Sequence, residues 1–137
     1  MKLIEADFND KTGKSSVTLM DKNGYLYTGT SQLHDEDKNY VSKYLGCSIA
    51  EARAEIKWLK NCRRRTIIQK NTITNLIQDI NSVTDYSTID PKIRKRINLK
   101  LRDYNNQIKE TDNTILLIER GIANIIKNID KIKEKKK

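Results

Sequence analysis

From Leu101 to Ile132 a seam of positions recurs at steps that alternate three and four: Leu101, Tyr104, Ile108, Thr111, Ile115, Ile118, Ile122, Ile125, Ile129 and Ile132. That spacing keeps one stripe on one side of an α-helix, as in a coiled coil. The end of the chain is therefore expected to be a long helix lying against another. Ile93 and Ile97 lead into the seam. Asp90-Pro91 opens it, with Asp as N-cap and the single proline at the first helical position, where its missing N–H costs nothing. Leu116, Leu117, Ala123 and Ile126 widen the stripe, which predicts more than one neighbour. Lys131, Lys133 and Lys135 to Lys137 form a basic tail that suits a helix C-terminus.

The partner is legible upstream. A helix from Ile49 to about Val83, roughly 50 Å at about 1.5 Å per residue, carries Ile49, Ala52, Ile56, Leu59, Cys62, Ile67, Ile73, Ile77 and Ile80 as its stripe. Arg63-Arg64-Arg65 and Gln69-Lys70-Asn71 interrupt it, and Lys70 falls on the stripe itself. Asp85 to Ile89 forms the turn. The second helix outruns the first by around two turns, and that apolar overhang predicts self-association.

Before the helices the period changes to two. Residues 2–8 and 15–20 alternate, with Asn9, Asp10 and Gly13 between them, and Tyr25 to Ser31 continues as a third strand. Asn23-Gly24 reads as a type I′ hairpin turn, whose two central positions both need positive φ. The expectation is a three-stranded antiparallel meander with Val17 and Leu19 on one face, covered by helix. His34 to Asp37 then opens a short helix capped by Asp35, with Tyr40, Val41, Tyr44 and Leu45 as its stripe. Gly46 reads as its C-cap, and Ser48 with Glu51 as the capping box of the next helix, so a bend is expected between them. The fold class is therefore α+β: residues 1–46 as meander and short helix, and 47–137 as a long helical hairpin, within one structural domain.

Composition narrows the function classes. Hydrophobic residues make up 36% and charged residues 33% of the 137, a balance that suits an elongated helical protein or an oligomer. No apolar run is long enough to span a bilayer, and MKLIEADFND lacks a signal-peptide core, so a cytoplasmic, non-membrane protein is expected. Cys47 and Cys62 match neither a disulfide framework nor a zinc spacing. The formal charge of +9 favours polyanions and phosphate-bearing ligands alike.

No catalytic constellation stands out, and the chain reads as a non-enzyme without a cofactor. It has no GxGxxG, Walker loop or HExxH. His34 beside Asp35 and Asp37 is an acid–base cluster or, more simply, a locally hydrogen-bonded histidine at a helix start. Gly29, within Thr28-Gly29-Thr30, allows close approach of a ligand to the backbone or marks a strand bulge. Tyr25, Tyr27, Tyr40, Tyr44 and Trp58 offer flat faces for a base, while Arg53, Lys57 and Lys60 lie on one helix segment and suit phosphate. Against this, each aromatic alone is an ordinary core residue. The Arg63–Arg65 and Arg94–Arg96 runs are a polyanion footprint or plain solvated faces.

The segments ADFN (Ala6–Asn9), YTGTSQLH (Tyr27–His34), DED (Asp35–Asp37) and GCSIAEARA (Gly46–Ala54), followed by two long helices, resemble the phage anti-Thoeris sponge family (Thoeris anti-defence protein one). The resemblance spans roughly residues 6 to 57 by motif and the remainder by architecture alone. It implies a viral immune-evasion protein acting in the host cytoplasm. Such a protein binds cyclic ADP-ribose isomers, and in some relatives cyclic di- or trinucleotides, without cleaving them. It also implies a homo-oligomer, a hexamer built from dimers. The ligand-binding residues expected from the matching segment are Tyr25, Tyr27, Thr28, Gly29, His34, Arg53, Lys57 and Trp58. Two other classes compete: a protein-binding inhibitor or assembly factor that docks through the hairpin, and a nucleic-acid-binding protein. The last lacks a recognition helix and is disfavoured.

Overall fold

The computed structural model describes residues 1–9, 11–32 and 43–136. Strands β1 (Lys2–Asn9), β2 (Lys14–Met20) and β3 (Leu26–Gln32) form an antiparallel sheet in the order β1-β2-β3. Two long helices follow, α1 (Lys43–Val83) and α2 (Pro91–Lys136), with a 3-10 turn at Tyr86–Thr88 between them. This is the expected α+β architecture. The anticipated helix start at His34–Asp37 and its Asp35 cap lie outside the described residues. No helix among the described residues is long and apolar enough to cross a membrane.

Local chemistry sets the turns. Between β1 and β2, the Asn9 side chain accepts the N–H groups of Lys11 (2.9 Å) and Thr12 (3.2 Å), and Gly13 takes φ +72°. Between β2 and β3 the turn departs from the expected type I′. Only Gly24 has positive φ (+87°), and no non-glycine residue does. Asp21 explains the difference: its Oδ1 accepts the N–H of Asn23 (2.9 Å) and Tyr25 (3.0 Å), while its carbonyl accepts that of Gly24 (3.1 Å). An aspartate closing a three-residue loop with glycine last favours a type I turn followed by a left-handed residue.

The chain divides into two compact units, one of Met1–Leu59 with Ile115–Lys137 and the other of Lys60–Thr114. In the first unit α1 works with two faces. One carries Ile49, Ala52, Ile56 and Leu59 and packs on Ile115, Ile118, Ile122 and Ile125 of α2, which joins the two expected stripes. The other carries Cys47, Ala50 and Ala54 and packs on Val17, Leu19 and Tyr27 of the sheet. Burying a Val, Leu or Ile side chain contributes about 1.5–3 kcal/mol, so these two small clusters hold the unit together.

The expected break at Gly46–Ser48 is absent, because α1 runs through it unbroken. Gly46 serves a different need. A Cβ there would meet Ser15 Oγ at 2.5 Å, and the Ser31 hydroxyl donates to the Gly46 carbonyl at 2.9 Å. The glycine admits helix to sheet and does not end a helix.

In the second unit no residue from Lys60 to Thr114 is buried. Arg63 Nε pairs with Asp112 Oδ1 at 2.7 Å, the two side chains being 41% and 49% exposed. Asp85 caps the 3-10 turn, accepting Ser87 N–H at 3.0 Å, and Asp90 accepts Lys92 N–H at 2.9 Å as the expected N-cap of α2.

Candidate ligand-binding surface

The surface forms where α1 lies against the edge strand β3. Gly29 is buried, and a Cβ on it would fall 1.9 Å from the Ala50 carbonyl oxygen and 2.5 Å from the Ala54 nitrogen. The neighbour that needs this glycine is the helix backbone. Gly29 also pairs in unbroken register with Val17, so no bulge occurs there.

This close approach brings one helix face over the strand edge. Arg53 Nη1 donates to the Thr30 carbonyl at 2.8 Å, and Lys57 Nζ donates to the Thr28 carbonyl at 2.5 Å. The two cations sit four residues apart, hence on the same face of α1. They take up carbonyls of alternate β3 residues that would otherwise be open for pairing, a recognised way of protecting an edge. Each keeps capacity: a guanidinium has five N–H donors and an ammonium three. No carboxylate among the described residues pairs with either.

The other expected site residues separate into distinct places. Thr28 contributes its carbonyl to this surface, but its hydroxyl bonds Thr18 Oγ1 at 2.8 Å across the strands. Tyr27 packs on the sheet–helix core, and its hydroxyl donates to Asp21 Oδ2 at 3.1 Å, so its ring belongs to the fold. Tyr25 lies at the hairpin and is 57% exposed. Trp58 is half-buried one residue after Lys57, which places it about 100° round the helix from the cation pair. His34 and Tyr40 lie outside the described residues. The sequence reading missed the role of Asp21, a buried residue whose carboxylate receives three donors. Its position directly before Lys-Asn-Gly was the available signal.

A second basic surface lies in the other unit. Pro91, Arg94, Lys95, Asn98, Leu99 and Arg102 line an open groove of about 440 Å³. Arg94 Nε is already committed there to the Ile89 carbonyl at 3.1 Å. The upstream arginine run is engaged too, since Arg64 reaches Asn61 Oδ1 at 3.3 Å within α1 and Arg63 reaches Asp112 of α2.

Among the described residues no group of three His, Cys, Asp or Glu is placed to hold a metal ion. Cys47 and Cys62 are free and half-buried. The fold and this surface define a small basic α+β chain whose edge strand is lined by two cations. No protein-family model, curated protein or solved structure matches the chain.

Proposed function

We propose that the chain binds and sequesters a cyclic nucleotide signal, a cyclic ADP-ribose isomer in the first instance, without cleaving it. The observation that carries this reading is the Arg53–Lys57 pair along β3, with unused donors and no competing carboxylate among the described residues. Two cations one helical turn apart match the two phosphates of a pyrophosphate, and charge-assisted bonds to phosphate are among the stronger polar contacts. Further support comes from the family resemblance in residues 6 to 57 and from the net charge of +9. The homo-oligomer implied by the resemblance belongs to the same reading, as does activity in the host cytoplasm during infection.

Isothermal titration against cyclic ADP-ribose isomers, followed by recovery of the ligand after denaturation, tests it. Binding with unmodified ligand recovered is expected. Absent binding, or recovery of a cleaved product, sinks the reading. Arg53→Ala is expected to weaken binding about tenfold or more, the loss typical of one charge-assisted bond, with the helical circular dichroism retained.

A further inference from the structure

The two edges of the sheet are treated differently. Along β3, Arg53 and Lys57 occupy the carbonyls of Thr30 and Thr28. Along β1, no described residue pairs with the outer side of the strand. Outward carbonyls at Thr28 and Thr30 leave Tyr27, Gly29 and Ser31 to bond β2, because antiparallel ladders alternate. The same alternation, carried across β2 by the observed register, turns the N–H and C=O groups of Leu3, Ala6 and Phe8 away from the sheet. Those three residues share the α1-covered face with Leu19, Val17 and Ser15, yet Leu3 is 55% exposed and Ala6 is also exposed.

We propose that two copies of this chain pair β1 to β1 about a twofold axis, giving a six-stranded antiparallel sheet in which Lys2 of each copy faces Asp7 of the other. The occupant follows from charge. Antiparallel pairing of Leu3 with Ala6 of the second copy matches outward-facing backbone to outward-facing backbone and apolar residue to apolar residue. It also sets Lys2 opposite Asp7, on the face where Glu5 lies as well. The bulge between Leu3 and Glu5 makes this register consistent, since it puts Leu3 and Ala6 on one face. Sliding either copy towards its own C-terminus sets Ala6 against Ala6 and so Glu5 against Asp7, or Ala6 against Phe8 and so Asp7 against Asp7, like charges that cross-strand pairing disfavours. Charged edges ordinarily resist pairing with arbitrary strands; here the same charges admit one partner, a second copy in one register. Glu5 carries a further sign of the uncompensated charge: its carboxyl is raised above the usual value, first by a hydrogen bond shared with Asp7 and then by repulsion from it. A lysine arriving from the second copy relieves that crowding.

Sedimentation equilibrium on the full chain, with circular dichroism as a folding control, tests the pairing through charge exchange. The chain is expected to dimerise. Lys2→Glu or Asp7→Lys alone reverses two symmetry-related pairs and is expected to weaken the dimer about tenfold. The Lys2→Glu/Asp7→Lys double variant, which restores opposite charges across the axis, is expected to return to within about threefold of the native chain. A native chain that stays monomeric, as expected if an extended segment of another protein normally takes this edge, overturns the proposal. So does an oligomer whose mass and affinity all three variants preserve, since its interface then lies elsewhere. A double variant no tighter than the singles overturns it equally. Nucleotide binding is measured separately, so neither result depends on the other.

Discussion

At the scale of single residues, small side chains decide how the first unit closes. Gly29 faces backbone atoms of α1 that belong to an intact helix and cannot yield, so Gly29→Ala must lift the helix from the sheet. The expected loss is about 3 kcal/mol, the upper part of the usual range for overpacking, read as a fall in the urea midpoint. Gly46→Ala is milder, because its first obstruction is the Ser15 hydroxyl at 2.5 Å, the end of a side chain. That hydroxyl is buried and has no hydrogen-bond partner among the described residues. Ser15→Ala therefore removes an unsatisfied group and should leave stability level or raise it by about 1 kcal/mol. In a double-mutant cycle Ser15→Ala should also rescue most of the Gly46→Ala loss; additive losses would show that the two sites do not press on one another. These positions also mark the limit of the sequence. A glycine says that something comes near, and Gly29 was compatible with a ligand or a bulge, but what comes near is Ala50 and Ala54 from more than twenty residues away. The face of Cys47, Ala50 and Ala54 carries no large apolar residue, so it was invisible beside the isoleucine stripe one step round the same helix.

At the scale of elements, periodicity was the dependable signal and local caps were the ambiguous one. The stripes of α1 and α2 meet at Ile49, Ile56, Ile115 and Ile122 because three-four spacing admits one burial geometry. Ser48 with Glu51 had the form of a capping box, yet α1 runs unbroken through it, with the Gly46 carbonyl accepting the Ser31 hydroxyl of the sheet. By contrast Asp90-Pro91 stands at a true helix start and caps as read. The turn between the helices has a pH signature. Asp85's carboxyl is held below its ordinary value chiefly by the Ser87 backbone N–H it accepts, with a smaller contribution from Arg94. A lowered carboxylate stabilises the turn when ionised, and that stabilisation is lost as pH falls through the depressed pKa. The turn should therefore stay intact through neutral and mildly acidic solution and loosen only below about pH 4, the unperturbed aspartate range. Amide chemical shifts of Ser87 followed through an acid titration read this directly. Asp85→Asn keeps an acceptor oxygen and should abolish the transition; a transition that persists in that variant assigns the titration to another group.

At the scale of the whole molecule, each unit has its own degree of closure, and the contrast bears on where function can sit. The first unit gathers every buried residue among those described, including Val17, Leu19, Ala50 and Ala54 against the sheet. The second contains two long helical segments with no buried residue, and leaves Ile68, Leu76, Val83, Ile93 and Leu99 between 39% and 88% exposed. Local opening costs little where few apolar contacts break, so amides from Lys60 to Thr114 should exchange with solvent about tenfold or more faster than those of Ile49–Leu59 and Ile115–Ile125. Hydrogen–deuterium exchange on the full chain at low concentration measures this. Adding a cyclic ADP-ribose isomer should then protect Leu26–Gln32 and Arg53–Leu59, where the strand edge and its cations lie, and leave the second unit unchanged. Raising the protein concentration without ligand should instead protect Lys2–Phe8, as expected if β1 pairs with its counterpart. The two responses fall on opposite edges of one sheet, so a single experiment separates ligand binding from assembly. Protection concentrated in Lys60–Thr114 under either condition would move the functional surface to the helices and count against both.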